Sequence, residues 1–156
     1  MAVLLLPFVT SDDARAALGI ADVEVPDQRF VDAGVQEALT IELMEWLPTY
    51  ATIYTTGVAS GATTAQAYQA NLLRMYAITY AAYLIAFSEL SIAQQIGDGK
   101  TGEKRFSTNF ERMRELMKQR SDSFRGRLTE SISGLETSRP ALFGSAAPTY
   151  DPVTGV

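Results

Sequence analysis

Apolar and polar residues recur at helical spacing along most of this chain, and one stretch sets the scale for the rest. Residues 64–95 contain neither Pro nor Gly, and Thr63 and Thr64 stand at their head as N-caps. Gln66, Ala67, Leu72, Leu73, Met75 and Ala81 are good helix formers. The pattern predicts one helix from Thr64 to Gln95, roughly 45 Å long at about 1.5 Å per residue. Between Met75 and Ser88 there is no charge, and Tyr76, Tyr80, Tyr83, Leu84 and Phe87 read as spread over more than one stripe. A helix that is apolar nearly all round has to be buried nearly all round. Arg74 and Glu89 close the uncharged window, leaving it short of the about eighteen apolar residues that insertion in a bilayer needs. The expectation is the central helix of a soluble bundle, covered on one side by other copies of the chain; burial within a single chain is the alternative.

The flanking pattern predicts a small helical bundle. Thr10-Ser11-Asp12-Asp13 is a helix start, with hydroxyls to cap and acids at the positive end of the dipole, and Gly19 is a stop. Pro26 opens the next helix near Asp27, where Phe30, Val31, Val35, Ala38, Leu39, Leu43 and Trp46 keep 3/4 spacing up to Pro48. A short helical turn follows over Thr49–Tyr54, then a loop over 57–62. Residues 96–107 are glycine-rich and predict a turn or a small hairpin. Asn109–Ser133 is the last long helix, with Phe110, Met113, Met117, Phe124, Leu128 and Ile132 in one narrow stripe, and Gly134 ends it. The whole reads as all-α, about four helices over residues 1–134. Residues 135–156 hold Pro140, Pro148 and Pro152 among small residues, with Leu142, Phe143, Tyr150 and Val153 between them. That composition suits a disordered tail; we read it instead as an extended arm that docks on a partner by strand addition or in a polyproline-like groove.

Composition narrows the chemistry. With no Cys there is no disulfide, thiol nucleophile or thiolate metal site, and with no His the commonest general base and metal ligand are missing. The reading is therefore of a protein without catalysis, cofactor or metal. The N-terminus has no basic n-region and Pro7 cuts its apolar run, so it does not read as a signal peptide. The net charge of −5 hides an asymmetry: residues 1–99 carry eleven acids and three bases, residues 100–127 nine bases and four acids. A chain with an acidic half and a basic segment can pair with copies of itself or face an anion.

Motifs that invite a chemical reading have plainer explanations. Gly99-Lys100-Thr101 matches the end of a phosphate-binding loop, but Gln94 stands where its first glycine belongs and the segment follows a helix, not a strand. Glu42 and Glu45 at i,i+3 lack the histidines of helical di-metal sites. Lys104, Arg105, Arg112, Arg114, Lys118, Arg120, Arg125 and Arg127 make the last helix basic, suited to a subunit interface or to DNA phosphates. The spacings Glu111–Arg114 and Glu115–Lys118 suit an ion-paired solvated face, and no aromatic interleaving for base stacking is visible on it.

Taken in order, a capped helix with a Leu-Gly end (TSDDARAALGI), an acidic loop opening a helix at Pro-Asp (VEVPDQRFVDAGVQEAL), an apolar central helix, a glycine-rich turn (IGDGKTGEKRFSTNFERM), a basic helix and a loose C-terminal arm resemble the head–tail connector, or adaptor, proteins of tailed bacteriophages. The likeness covers roughly residues 8–134. It implies a virion protein of the neck that forms a ring, typically of twelve copies, beneath the portal protein. Such a ring extends the DNA channel and offers a surface to the tail or the next neck protein. It implies an arm that reaches the portal, here Pro140, Leu142, Phe143, Pro148, Tyr150, Pro152 and Val153. An acidic lumen would let the genome slide past without sequence-specific contact. The apolar lead MAVLLLPF departs from a free surface end and is expected to be buried in a neighbouring copy. The alternative function is a free-standing helical module that grips DNA or another protein with its basic helix over 107–133.

Overall fold

The computed structural model describes residues 2–20, 25–96 and 101–134, with side chains described except over 89–110. A short hairpin, β1 (Leu4–Leu6) and β2 (Val9–Thr10), leads into α1 (Ser11–Leu18), α2 (Asp27–Asp32), α3 (Val35–Trp46), α4 (Tyr50–Gly57), α5 (Thr64–Ile96) and α6 (Thr101–Ser133). The fold is all-α, built on the antiparallel pair α5 and α6, with α1, α3, α4 and the hairpin packed against α5 and α2 packed on α3. Contacts of Gln69 with Ser131, Tyr83 with Lys118 and Phe87 with Arg114 fix the antiparallel register.

Local chemistry explains most of the boundaries. Thr10 caps α1 and Asp13 returns the bond, a reciprocal capping box. Thr63 and Gln66 make the same exchange at the head of α5, at 2.8 and 3.2 Å. α1 ends at Gly19 and α6 at Gly134, both left-handed.

The single helix expected from Arg29 to Leu47 is two. Gly34 adopts φ 60°, donating to the Val31 carbonyl at 3.0 Å and so closing α2. Its own carbonyl then accepts from Ala38 at 3.0 Å and starts α3. A residue with a Cβ would be strained there, so the glycine lets the chain turn between two short helices. The turn takes Val31, on the expected apolar stripe, out to 56% exposure.

The apolar N-terminal lead is buried, but not in a neighbour. Pro7 and Phe8 form the turn of the hairpin, which pairs Leu6 with Val9 and Leu4 with Thr10. No described non-glycine residue has positive φ, and turns without it splay the strands, which suits a ladder this short. Leu5, Leu6, Phe8 and Val9 are buried against α3, α1 and α5. At about 1.5–3 kcal/mol per fully buried aliphatic side chain, the lead is a substantial part of this chain's own core.

The same holds for the uncharged stretch of α5. Tyr76, Ala77, Ile78, Thr79, Ala81, Ala82, Ile85 and Ala86 are buried within one chain. At about 100° per residue these eight cover most of the helix circumference. The hairpin, α1, α3, α4 and α6 pack on α5 and leave Met75 and Phe87 exposed, at 42% and 51%, so most of this stretch is covered within one chain.

The glycine-rich segment is helical over much of its length. α6 begins at Thr101 rather than Asn109, so no hairpin spans 96–107; residues 97–100 lie outside the described residues. On α6 the predicted stripe faces α5, with Met117 and Leu128 buried, Met113 and Phe124 half-buried, and Ile132 exposed at its end. The gap between Met117 and Phe124 is filled by Ser121, fully buried, whose hydroxyl donates back to the Lys118 carbonyl at 2.8 Å.

Candidate interaction surfaces on the long helices

Helical geometry divides the basic residues of α6 into two groups. With the Met117–Ser121–Leu128 stripe turned inward, Arg114, Lys118 and Arg125 fall on the flank beside α3 and the aromatic residues of α5. Arg120 and Arg127 fall on the opposite flank, with Arg112 nearby on the outer face. Arg112, Lys118, Arg120 and Arg127 are exposed, while Arg114 and Arg125 are half-buried. The side chains of Lys104 and Arg105 lie outside the described set. Pro140, Leu142, Phe143, Pro148, Tyr150, Pro152 and Val153 also lie outside the described residues.

The first flank stands on a ladder of rings. Tyr76, Tyr80, Tyr83 and Phe87 step by 4, 3 and 4 along α5, which is one stripe after all, with Leu84 on the next row. Trp46 of α3 meets Tyr76 edge-on at 5.2 Å between centroids, and Tyr76–Tyr80 and Tyr80–Tyr83 follow at 5.7 and 5.8 Å. Arg125 lies 4.8 Å over Trp46, Lys118 5.9 Å over Tyr83 and Arg114 5.9 Å over Phe87. Cations and rings therefore alternate across the α5–α6 seam. In this seam the cations come from α6 and the rings from α5 and α3, so the alternation is not visible in the sequence of the basic helix alone.

At one end the seam is closed by Glu42. Its carboxylate accepts from Arg125 at 2.8 Å and from the Tyr76 hydroxyl at 3.2 Å. Burial raises the Tyr76 phenol far above its ordinary range, and the Glu42 charge pushes the same way; Tyr80 is raised for the same two reasons. Both phenols are thus held neutral and are poor bases at ordinary pH, and the network's work is to fasten α3 to the long pair. It also gives Glu42 a role other than metal binding. Among the described residues no three His, Cys, Asp or Glu gather as a metal site. Nor is any described helix long and apolar enough to cross a membrane.

At the other end the seam opens into a shallow depression of about 580 Å³ lined by Tyr83, Arg114, Glu115, Lys118 and Gln119. Its cations are partly spoken for. Lys118 pairs with Asp122 at 2.8 Å, and Glu115 lies on the same wall. Among the described residues the pairs Glu111–Arg114 and Glu115–Lys118, suggested by spacing, do not form.

A second polar cluster ties the N-terminal elements together. Arg15 is buried and donates to the Val25 carbonyl at 3.0 Å, to Asp27 at 2.9 Å, and to Asp12. The Ser11 hydroxyl accepts from the Val3 backbone at 3.0 Å and donates to Asp27 at 2.6 Å. That last bond is the main reason the Asp27 carboxyl is held below its ordinary value, with Arg15 adding to it. Arg74 of α5 reaches the Phe8 carbonyl at 3.3 Å and Asp13 at 3.0 Å. The arrangement is a structural knot: every charge in it is directed at another part of the same fold. In sequence only the capping role of Asp13 was visible, because the partners of Arg15 and Arg74 lie on other elements.

Comparison with known protein families, curated proteins and solved structures found no match.

Proposed function

We propose that the protein is a structural component of a phage neck, a homo-oligomeric ring beneath the portal that extends the DNA channel and links capsid to tail in the virion, without catalysis. The observation that carries the reading is the order of elements: a capped α1 ending in Leu-Gly, helices opening after Pro26, and two antiparallel helices of 33 residues, the second basic. The polar residues of these helices either fasten elements together or stand outward as charge, which suits a scaffold.

Co-sedimentation with portal-containing, DNA-filled heads tests this, comparing the full chain with a form ending at Gly134. Many copies of the full chain on each head, and few of the shortened one, would support the neck role and an anchoring arm. Equal binding of both would retain the neck role and remove the arm. Binding of neither would turn attention to the second reading, a free-standing helical module. The cation–ring seam favours that reading, since rings and cations together suit single-stranded nucleic acid. Pairing of Lys118 with Asp122 and of Arg125 with Glu42 weakens it. Salt-sensitive binding to DNA, lost on Arg114→Glu, would establish it.

A further inference from the structure

Two outward helix faces carry apolar residues among charges of opposite sign. On α3, Ile41 and Met44 are each 58% exposed, on the side away from buried Leu39 and Leu43, and Glu37 and Glu45 flank them. On α6, Leu116 is 42% exposed and shares its flank with Arg120 and Arg127. Among the described residues, none of these four charges makes an ion pair within the chain. They differ in this from Glu42, Arg125, Asp13, Arg74 and Lys118, all of which do. Large aliphatic residues flanked by unpaired charges of one sign suit a partner with aliphatic residues flanked by the other sign, and this chain carries both halves.

The halves look in different directions. Arg125 marks the side of α6 that meets α3, through Glu42 at 2.8 Å. At about 100° per residue, Leu116, Arg120 and Arg127 lie roughly opposite Arg125 on the helix. The α3 face likewise points away from its own packed side. One chain cannot close the two faces on each other. A two-fold dimer would need both on the same side of the protomer, so a contact between them is head-to-tail and repeats from copy to copy.

We propose that the Glu37–Ile41–Met44–Glu45 face of α3 docks on the Leu116–Arg120–Arg127 flank of α6 in a second copy of this chain, giving heterologous self-association. The inference deepens the neck reading by naming the contact through which ring subunits would meet, and its evidence is the pair of faces. It narrows the set of basic residues first expected at such a contact: Arg114, Lys118 and Arg125 are engaged in the seam, while Arg120 and Arg127 stand outward beside Leu116.

Sedimentation velocity of the full chain over a range of concentrations, at low and high salt, tests it with charge swaps. The parent is expected to associate, and more weakly as salt screens the faces. E37K/E45K and R120E/R127E are each expected to raise the dissociation constant by about tenfold or more. Mixing the two variants, or combining all four changes in one chain, is expected to restore association, since acid again meets base. Circular dichroism of each variant separates lost contact from lost fold. A parent that stays monomeric at the highest concentration, or reversals that leave association unchanged, overturns the inference. Binding to heads is scored separately. Heads that take up the reversed variants in the parental copy number reject this interface and leave the neck role standing. Association restored by the swap without any head binding does the converse.

Discussion

Gly57 is the place where the packing makes its sharpest demand on a single residue. It ends α4 where that helix crosses α5, and it is buried. A Cβ built there would lie 2.4 Å from the Ala70 Cβ and 2.4 Å from the Gln66 carbonyl oxygen. Carbon atoms rest at about 3.5–4.0 Å, so Gly57→Ala requires α4 to retreat by roughly 1 Å. The Gln66 carbonyl is part of the α5 ladder and cannot turn aside, and a retreat loosens Ile53 and Tyr54 from the core. Alanine gains at most about 1 kcal/mol over glycine in a helix, and less in a last turn, whereas overpacking costs about 1–3 kcal/mol or more. The net expectation is a loss of about 2 kcal/mol. At about 2–4 °C per kcal/mol for a chain of this size, Tm should fall by roughly 4–8 °C. Thermal and urea unfolding followed by far-UV circular dichroism would measure it. Ala70→Gly removes one of the two close atoms and leaves the other. Added to Gly57→Ala, it should therefore recover part of the loss, seen as a favourable coupling in the double-mutant cycle. A Gly57→Ala protein as stable as the parent, or more so, would refute the stated approach of α4 to α5.

Three further outcomes follow from the polar groups. Asp27→Ala leaves the Arg15 guanidinium, only 5% exposed, with a single and largely solvated carboxylate, Asp12; urea unfolding should show a loss of about 2–3 kcal/mol, the lower end for breaking a buried pair. Because the folded Asp27 carboxyl lies below its ordinary value of 3.8, its contribution is present above that pH. It is lost as pH falls through the folded value, so parent and variant should converge in stability below about pH 4. Tyr76 and Tyr80 are raised above the ordinary phenol value of 10.0, so their contribution is full below pH 10 and declines above it as the unfolded chain ionises. Ultraviolet titration should show two phenols, lost on Tyr76→Phe and Tyr80→Phe, that ionise only above the ordinary value and together with unfolding; their ionisation in the folded protein near pH 10 would contradict their burial. At Ser121 the hydroxyl bonds only to its own helix. Ser121→Ala should therefore be neutral or slightly stabilising, while Ser121→Leu should cost about 1–3 kcal/mol by overpacking the α5–α6 contact, both readable in thermal melts.

The sequence by itself determined the features that depend on neighbours along the chain. The cap at Thr10, the stop at Gly19, the uninterrupted run of α5 and the inward stripe of α6 are all set by residues within four positions of one another, which is the range of helical hydrogen bonds and i,i+4 contacts. Tertiary structure decided everything that depends on which surface meets which. Leu5, Leu6 and Val9 read as a lead in need of a neighbour because a three-residue strand has no period long enough to declare its partner, and only the fold supplies α3 and α5 beside them. Gly34 could be a tolerated helical glycine or a break, and its left-handed backbone in the folded chain makes it the break between α2 and α3. The rings Tyr76, Tyr80, Tyr83 and Phe87 read as spread over more than one stripe because Leu84 was taken with them, although their steps of 4, 3 and 4 hold the four rings on one row. Their alternation with Arg114, Lys118 and Arg125 was not legible, because rings and cations lie some thirty to eighty residues apart and meet only when α5 and α6 pack antiparallel. The same packing separated the charges that hold the fold together from those left outward. A charge count along the chain cannot make that distinction, because whether a charge is satisfied depends on what lies across the helix contact from it.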